Sequence, residues 1–324
     1  MAMLPDLIQA QIGKETTWGT AVTETAKLMG IDELVIRPIN EAEQFPDRRA
    51  SLAPAYLSAL TKIGMEGQMG GVLLYEDLPY WLDNLCGEAT PTGSDPYTYT
   101  YAAPLTAVPS SPRILTLTGG DSSDIYTAAG VLLNGLTISG ESNKPLRWSA
   151  PLIGEDVATG ALESLSDRSV NVVMADHVAL YIDAWGGTIG STAITSNFFK
   201  FTLNINPNRA VVYGIGSKTP GEWREARWTG DLAMTLEFDA TTQAFFDAII
   251  GGSSVFQKQV RIKASSGASL DVQLDFAGTA LTAPEIFTDE NGIVTLEFNL
   301  HGEYNSTLTQ WFEAQVINGV ASLA

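Results

Sequence analysis

Two histidines, His177 and His301, and one cysteine, Cys86, are the only imidazole and thiol groups in the 324-residue sequence. Neither histidine has a second one at ligand spacing, so a zinc or iron site would need several carboxylates, a donor set those metals do not favour. His301 ends an alternating segment on its polar face, where a solvent-facing role suffices. No serine lies in the G-x-S-x-G turn of an α/β-hydrolase nucleophile. Gly214–Thr219 (GIGSKT) carries glycines and a lysine, but no glycine directly precedes Lys218, and Pro220 stands where a phosphate loop would open a helix. It reads as a flexible piece of a long loop. Asp289–Gly292 lacks the alternating oxygen ligands of a calcium loop and is instead a tight-turn signal. Asn305-Ser306-Thr307 matches a glycosylation acceptor that has no meaning without a secretory signal. Glu76-Asp77 reads as charge complementing a helix N-terminus. A carboxylate pair acting on glycans has no motif behind it. No reaction and no cofactor are expected.

Bulk properties narrow the class further. With 45% apolar and 17% charged residues the chain is an ordered protein, and its length suits two domains of roughly 150 residues. Thirty-seven acidic against 18 basic residues give a net charge of −19. Such a surface repels nucleic-acid phosphate, but suits a channel through which DNA slides without sticking. MAMLPDLIQAQIG has neither a basic nor a long apolar region, so no targeting segment is expected. No apolar run approaches ~18 residues, so no membrane insertion is expected either. The lone Cys86 excludes an intrachain disulfide, reads as a small core residue, and fits a reducing compartment such as a bacterial cytoplasm.

The elements that organise these residues come in pairs. Met65–Tyr75 and Trp228–Phe238 are extended runs, each leading into about three turns of helix. Leu78, Trp81, Leu82 and Leu85 in one helix, and Thr242, Phe245, Phe246 and Ile249 in the other, fall at i, i+3, i+4 and i+7, which predicts one buried stripe each. Asp77 and Thr241 stand at the N-caps, Gly87 and Gly251 at left-handed C′ positions. Upstream, Thr20–Thr23 is echoed by Thr192–Thr195, and Leu34 and Ile36 by Leu203 and Ile205. Further strands are predicted at Leu34–Ile39, Tyr97–Tyr101, Arg113–Thr118, Leu270–Phe276 and Val294–Leu300, with a hairpin from Leu133–Ser139 and Leu146–Ile153. The polar break at Leu165–Val170, before β-like runs at Val170–Met174 and Val178–Ile182, divides the chain into 1–167 and 168–324. Before each helical unit lies an irregular loop, Asn40–Lys62 and Asn208–Arg227. Loops of about twenty residues are uncommon unless they have a job. Their mix of Phe45, Arg48, Arg49, Tyr56 and Leu57 in one, and Val211, Val212, Tyr213, Trp223 and Arg224 in the other, suits gripping a neighbour.

GKETTWGTAV near the start, LLNGLTISGESNKPLRWSAPLIGED (Leu132–Asp156) and DHVALYIDAWGG…FKFTLNINPNRAVVYGIG (Asp176–Gly216) resemble the tail tube (major tail) proteins of long-tailed bacteriophages, in the version with the tube domain duplicated in one chain. The resemblance covers almost the whole sequence. It implies a mainly β fold of two tandem antiparallel β-sandwich or barrel domains, each with one short flanking helix and a long inter-strand loop. It also implies trimeric rings with pseudo-sixfold symmetry, stacked into a hollow tube whose inner strands line the lumen and whose long loops reach the adjacent ring. The implied partners are the chain itself, the tape-measure protein, the tail terminator and tip proteins, and double-stranded DNA in passage without specific binding. The implied location is the virion tail, assembled in the host cytoplasm. A β-rich capsid-decoration or receptor-binding module is the alternative; it would gather aromatics at one end, whereas these are spread along the chain.

Overall fold

Alternation of apolar and polar residues over many short segments produces antiparallel sheets with one dry and one wet face. The computed structural model describes residues 4–50, 52–106, 112–251, 255–285, 288–290 and 292–323. In chain order, β1 (Gln9–Lys14), β2 (Ala26–Lys27), β3 (Ile31–Phe45) and β4 (Leu57–Val72) precede α1 (Leu78–Cys86). Then come β5 (Thr92–Gly93), β6 (Tyr97–Ala102), β7 (Leu115–Gly120), β8 (Ile125–Leu133), β9 (Leu136–Glu141), β10 (Arg147–Gly154) and β11 (Asp156–Thr159). After these follow β12 (Val178–Ala184), β13 (Phe198–Asn206), β14 (Ala210–Val212), β15 (Glu222–Arg224) and β16 (Thr229–Glu237). The chain ends with α2 (Ala240–Ile250), β17 (Phe256–Ser265), β18 (Asp271–Ala280), β19 (Thr288–Glu290), β20 (Ile293–Gly302) and β21 (Phe312–Asn318).

Strands β3-β4-β10-β9 hydrogen-bond in that order, and β9 pairs with β13, so that β13-β16-β20-β19 continue one antiparallel sheet. A second layer has β1-β7-β8-β11 in the first half and β12-β17-β18-β21 in the second. The same strand order thus recurs in both layers. The halves are joined twice, by β9 on β13 and by β6 on β21. Met69, Ala150, Ile138, Leu203, Leu232 and Leu300 fill the dry face of the long sheet. Its wet face runs through Gln68, Pro151, Thr137, Asn204, Asp231 and His301.

The fold is mainly β with two α-helices among the described residues, as the sequence predicts. Several particulars differ. Helix α1 is not amphipathic in its packing: Leu78 through Leu85 are all buried, including Asp83 and Asn84, and Trp81 stacks on Trp148 at 4.5 Å between ring centroids. Helix α2 keeps a single stripe, with Thr242 buried and Phe245, Phe246 and Ile249 half-buried. Its N-cap is Asp239, whose carboxylate accepts from the Thr241 and Thr242 amides, and not Thr241. Gly87 ends α1 at φ 101°, a value that favours glycine, whereas Gly251 is right-handed. Val170–Met174 is not a strand; only the isolated bridges Leu74↔Val172 and Pro145↔Met174 form there. Leu133 belongs to β8, before the β9–β10 hairpin. The turn expected at Asp289–Gly292 joins β19 to β20, with Asn291 outside the described residues.

Candidate assembly surfaces

The first long loop is mostly a hairpin. β3 and β4 stay paired out to Phe45↔Leu57, across a bulge at Glu41/Ala42, and only 46–56 turns irregularly, with Ser51 outside the described residues. No residue of β3 is buried, and its outer edge has no ladder partner among the described residues. Both faces of the distal hairpin are wet, so the alternation that marks a half-buried strand is missing from its sequence. Phe45, Arg48, Arg49, Tyr56 and Leu57 are all exposed at or beside the tip. There the Arg49 guanidinium lies 5.0 Å from the Tyr56 ring centre and pairs with Asp47. The tip thus gathers exposed aromatic, apolar and basic side chains in one place.

The second long loop is a smaller hairpin, β14 on β15, anchored where the first is free. Arg209 at its root is buried. Its Nε donates to Glu225 Oε1 at 2.7 Å, Nη2 to Leu85 O at 2.8 Å, and Nη1 to Asn84 O and Leu133 O at 2.9 and 3.0 Å. A guanidinium thus satisfies the open carbonyls at the end of α1 and offsets the negative end of the helix dipole. Burial lowers the Arg209 pKa from its ordinary value, and Glu225 opposes that shift. Val211, Val212, Tyr213 and Trp223 are half-buried, Trp223 lying 5.3 Å from the Arg209 guanidinium, while Arg224 is exposed and paired with Glu222. The two hairpins touch: the Ile63 amide donates to Lys218 O at 2.8 Å, and Lys62 Nζ sits 5.3 Å from the centre of the Tyr213 ring. Of the ten contact residues expected from sequence, Phe45, Arg48, Arg49, Tyr56, Leu57 and Arg224 are therefore exposed, and the other four pack into the anchored hairpin.

Asn84, Arg209 and Glu225 carry no sequence signal, because Asn84 and Arg209 join main-chain groups distant in sequence, up to 125 residues away, and Glu225 acts through Arg209. Asn84 Nδ2 donates to Arg113 O and Val131 O, and its Oδ1 accepts from Leu133 N, so a fully buried amide is satisfied. The acids before α1 do not act as free dipole charges. Glu76 accepts from the Asn171 amide and side chain, and Asp77 from Arg168, tying residues 168–171 to the helix start. His177 shares a hydrogen bond with the Tyr75 hydroxyl at 3.2 Å, and His301 pairs with Asp231 on the wet face. Cys86 is half-buried, its thiol pushed up to about 12 by burial.

Against known families, residues 6–302 match the model for phage tail tube protein. The chain belongs to the phage tail tube protein family. A comparison with curated proteins finds no match. Membership implies a virion structural protein of the tail that self-assembles into a polymer. No helix of the described residues is long and apolar enough to cross a membrane.

Proposed function

We propose that this tail tube protein closes head to tail into rings of three copies with pseudo-sixfold symmetry, that the rings stack into the tail tube, and that the tube is the conduit for DNA ejection. Its role is structural, without catalysis. The units are residues 1–167 and 168–324. The observation that carries this reading is the β9–β13 ladder, in which Leu136–Glu141 pairs with Lys200–Ile205 and makes two four-strand sheets into one. A contact that repeats by rotation closes a ring, and stacking that does not close makes a filament. With the dry face turned outward onto the second layer, the wet face lines the lumen. It carries Glu33, Glu66, Glu141, Asp231, Glu237 and Glu297 against Arg37, Arg147 and Lys200. A ring of three copies holds 3 × −19 = −57 charges, a field that keeps DNA from adhering. The two hairpins, through Phe45, Arg48, Arg49, Tyr56 and Leu57 and through Val211, Val212, Tyr213, Trp223 and Arg224, meet the adjacent ring. Beyond itself, the chain meets the tape-measure, terminator and tip proteins during assembly in the host cytoplasm. Negative-stain microscopy and mass measurement of the purified chain test this: rings or tubes are expected, and a stable monomer at every concentration overturns it.

A further inference from the structure

Strand β4 changes its outer partner where the first hairpin leaves the body of the protein. β10 accompanies β4 as far as Gly154↔Met65. On the edge that β10 vacates, the next amide outward, that of Ile63, donates to Lys218 O in the β14–β15 turn at 2.8 Å. Beside that bond Tyr213 lies on Gly64. A Cβ at Gly64 would come within 2.6 Å of Tyr213 Oη, so the bare backbone of a glycine is what lets the phenol seat this deeply. Lys62, one residue beyond Ile63, covers the ring from 5.3 Å and is itself held by Glu41 across the hairpin at 2.8 Å. The Tyr213 hydroxyl is buried in the contact and has no hydrogen-bond partner among the described residues. An oxygen placed so loses its water and gains nothing in return; the fit of the ring on the glycine, and not a polar contact, holds the pair.

Burial ends at the same point. Gly64 and Met65 are buried and Lys62 and Ile63 half-buried, whereas Ser58, Ala59, Thr61 and every residue from Asn40 to Phe45 are exposed. Thr61 is the extra residue of the bulge between Glu41↔Lys62 and Ala42↔Leu60, and a bulge is where a two-stranded ribbon bends. The other side of the contact is fixed, since Arg209 ties the root of β14 to the carbonyls of Asn84, Leu85 and Leu133. From this we infer that the β14–β15 hairpin is a rest for the first hairpin, with Tyr213 on Gly64 as its catch. It holds the β3–β4 ribbon at a set angle to the body up to the bulge and leaves the part beyond Glu41 and Thr61 free to swing. The second long loop thereby gives the first its direction. The inference rests on the reading above, in which the tip meets the adjacent ring: a ribbon already held in direction gives up less conformational freedom when that contact forms.

Amide hydrogen exchange on the dilute, full chain reads the catch directly. Gly64→Ala drives its Cβ into Tyr213 Oη and should speed exchange of the Ile63 amide about tenfold while the core amides of Met69 and Leu232 keep their protection. Adding Tyr213→Phe removes that oxygen, after which the nearest atoms to the new Cβ are those of Ile39 at 3.6 and 3.8 Å, and should restore the protection of Ile63. Tyr213→Phe alone should keep that protection and Tyr213→Ala should lose it. In sedimentation, Gly64→Ala and Tyr213→Ala should need a several-fold higher protein concentration to grow tubes, and Gly64→Ala with Tyr213→Phe the same concentration as the unsubstituted chain. Ile63 exchange that is indifferent to Gly64→Ala, or that does not recover in the double variant, overturns the catch. A catch lost with tube growth unchanged overturns its aiming role. An unsubstituted chain that forms no tubes overturns the ring reading, and the exchange experiment still decides the catch.

Discussion

At the scale of single residues, the junction of the halves hangs on Arg209. Its side chain is fully enclosed, its charge is paired with Glu225, and its remaining donors hold the carbonyls of Asn84 and Leu85 at the end of α1 and of Leu133. Removing one partner of a buried pair leaves an uncompensated charge, so Arg209→Ala should lower unfolding free energy by about 3–5 kcal/mol in urea titration. Asp83 offers a test by pH. Burial raises its carboxyl to about 6, against the opposing effects of the Ala89 amide, the Tyr101 hydroxyl and Arg113, whose Nη1 is 3.6 Å away; Glu88 adds to the rise. A folded pKa above the unfolded one means the protonated form is favoured by folding. That stability is full below pH about 4 and is lost as pH rises through about 6. The wild type should therefore lose about 3 kcal/mol relative to Asp83→Asn between pH 4 and 7. A difference that stays flat across that window would show that Arg113 and Tyr101 hold the carboxylate after all.

At the scale of elements, the two helices share a sequence period and differ in burial, and the difference follows from what surrounds them. α1 lies inside the joint, under Arg209 and against Trp148, so Trp81→Ala should cost about 3–5 kcal/mol in the free chain. α2 lies at the open end, and Phe245→Ala should cost only about 1–2 kcal/mol in the free chain, because its ring is half-exposed there. Periodicity found both helices and most core strands, since a half-buried element writes its dry face into the sequence as apolar spacing. It missed the outer part of β3 and β4, which buries neither face, carries a polar run and flanks a turn with prolines at 46 and 54. It missed the full burial of α1 as well, because the cover is gathered from strands distant in sequence, β6, β8 and Trp148 of β10, with Arg209 of the other half closing the helix end. The apolar and basic residues of the first tip remained legible as large side chains stranded in polar surroundings. If that tip meets the adjacent ring, deleting Phe45–Tyr56 should abolish tube growth, seen by sedimentation, while the melting transition of the chain persists; unchanged growth would remove the hairpin from the stacking contact.

At the scale of the whole molecule, the eight-stranded sheet turns a charge imbalance into a surface property. Its wet face mixes Thr, Ser, Asn and Gln with charged side chains, and acids outnumber bases across β3, β4, β9, β16 and β20. Hydroxyl and amide side chains hold water and offer DNA phosphates no fixed positive partner, while the carboxylates repel them. If this face lines the lumen, its sign should govern whether DNA stays or leaves. Glu66, Glu141 and Glu297 face the same side on three different strands and take no part in the dry core. Replacing all three by lysine changes a three-copy ring by 3 × 6 = 18 charges. The substituted tubes should assemble as before, but retain double-stranded DNA at low ionic strength in an electrophoretic assay and release it on raising salt, with the steep salt dependence of phosphate contacts. Tubes that bind no more DNA than the unsubstituted ones would mean that this face points away from the lumen, and that the acidic charge serves the outer surface of the tail.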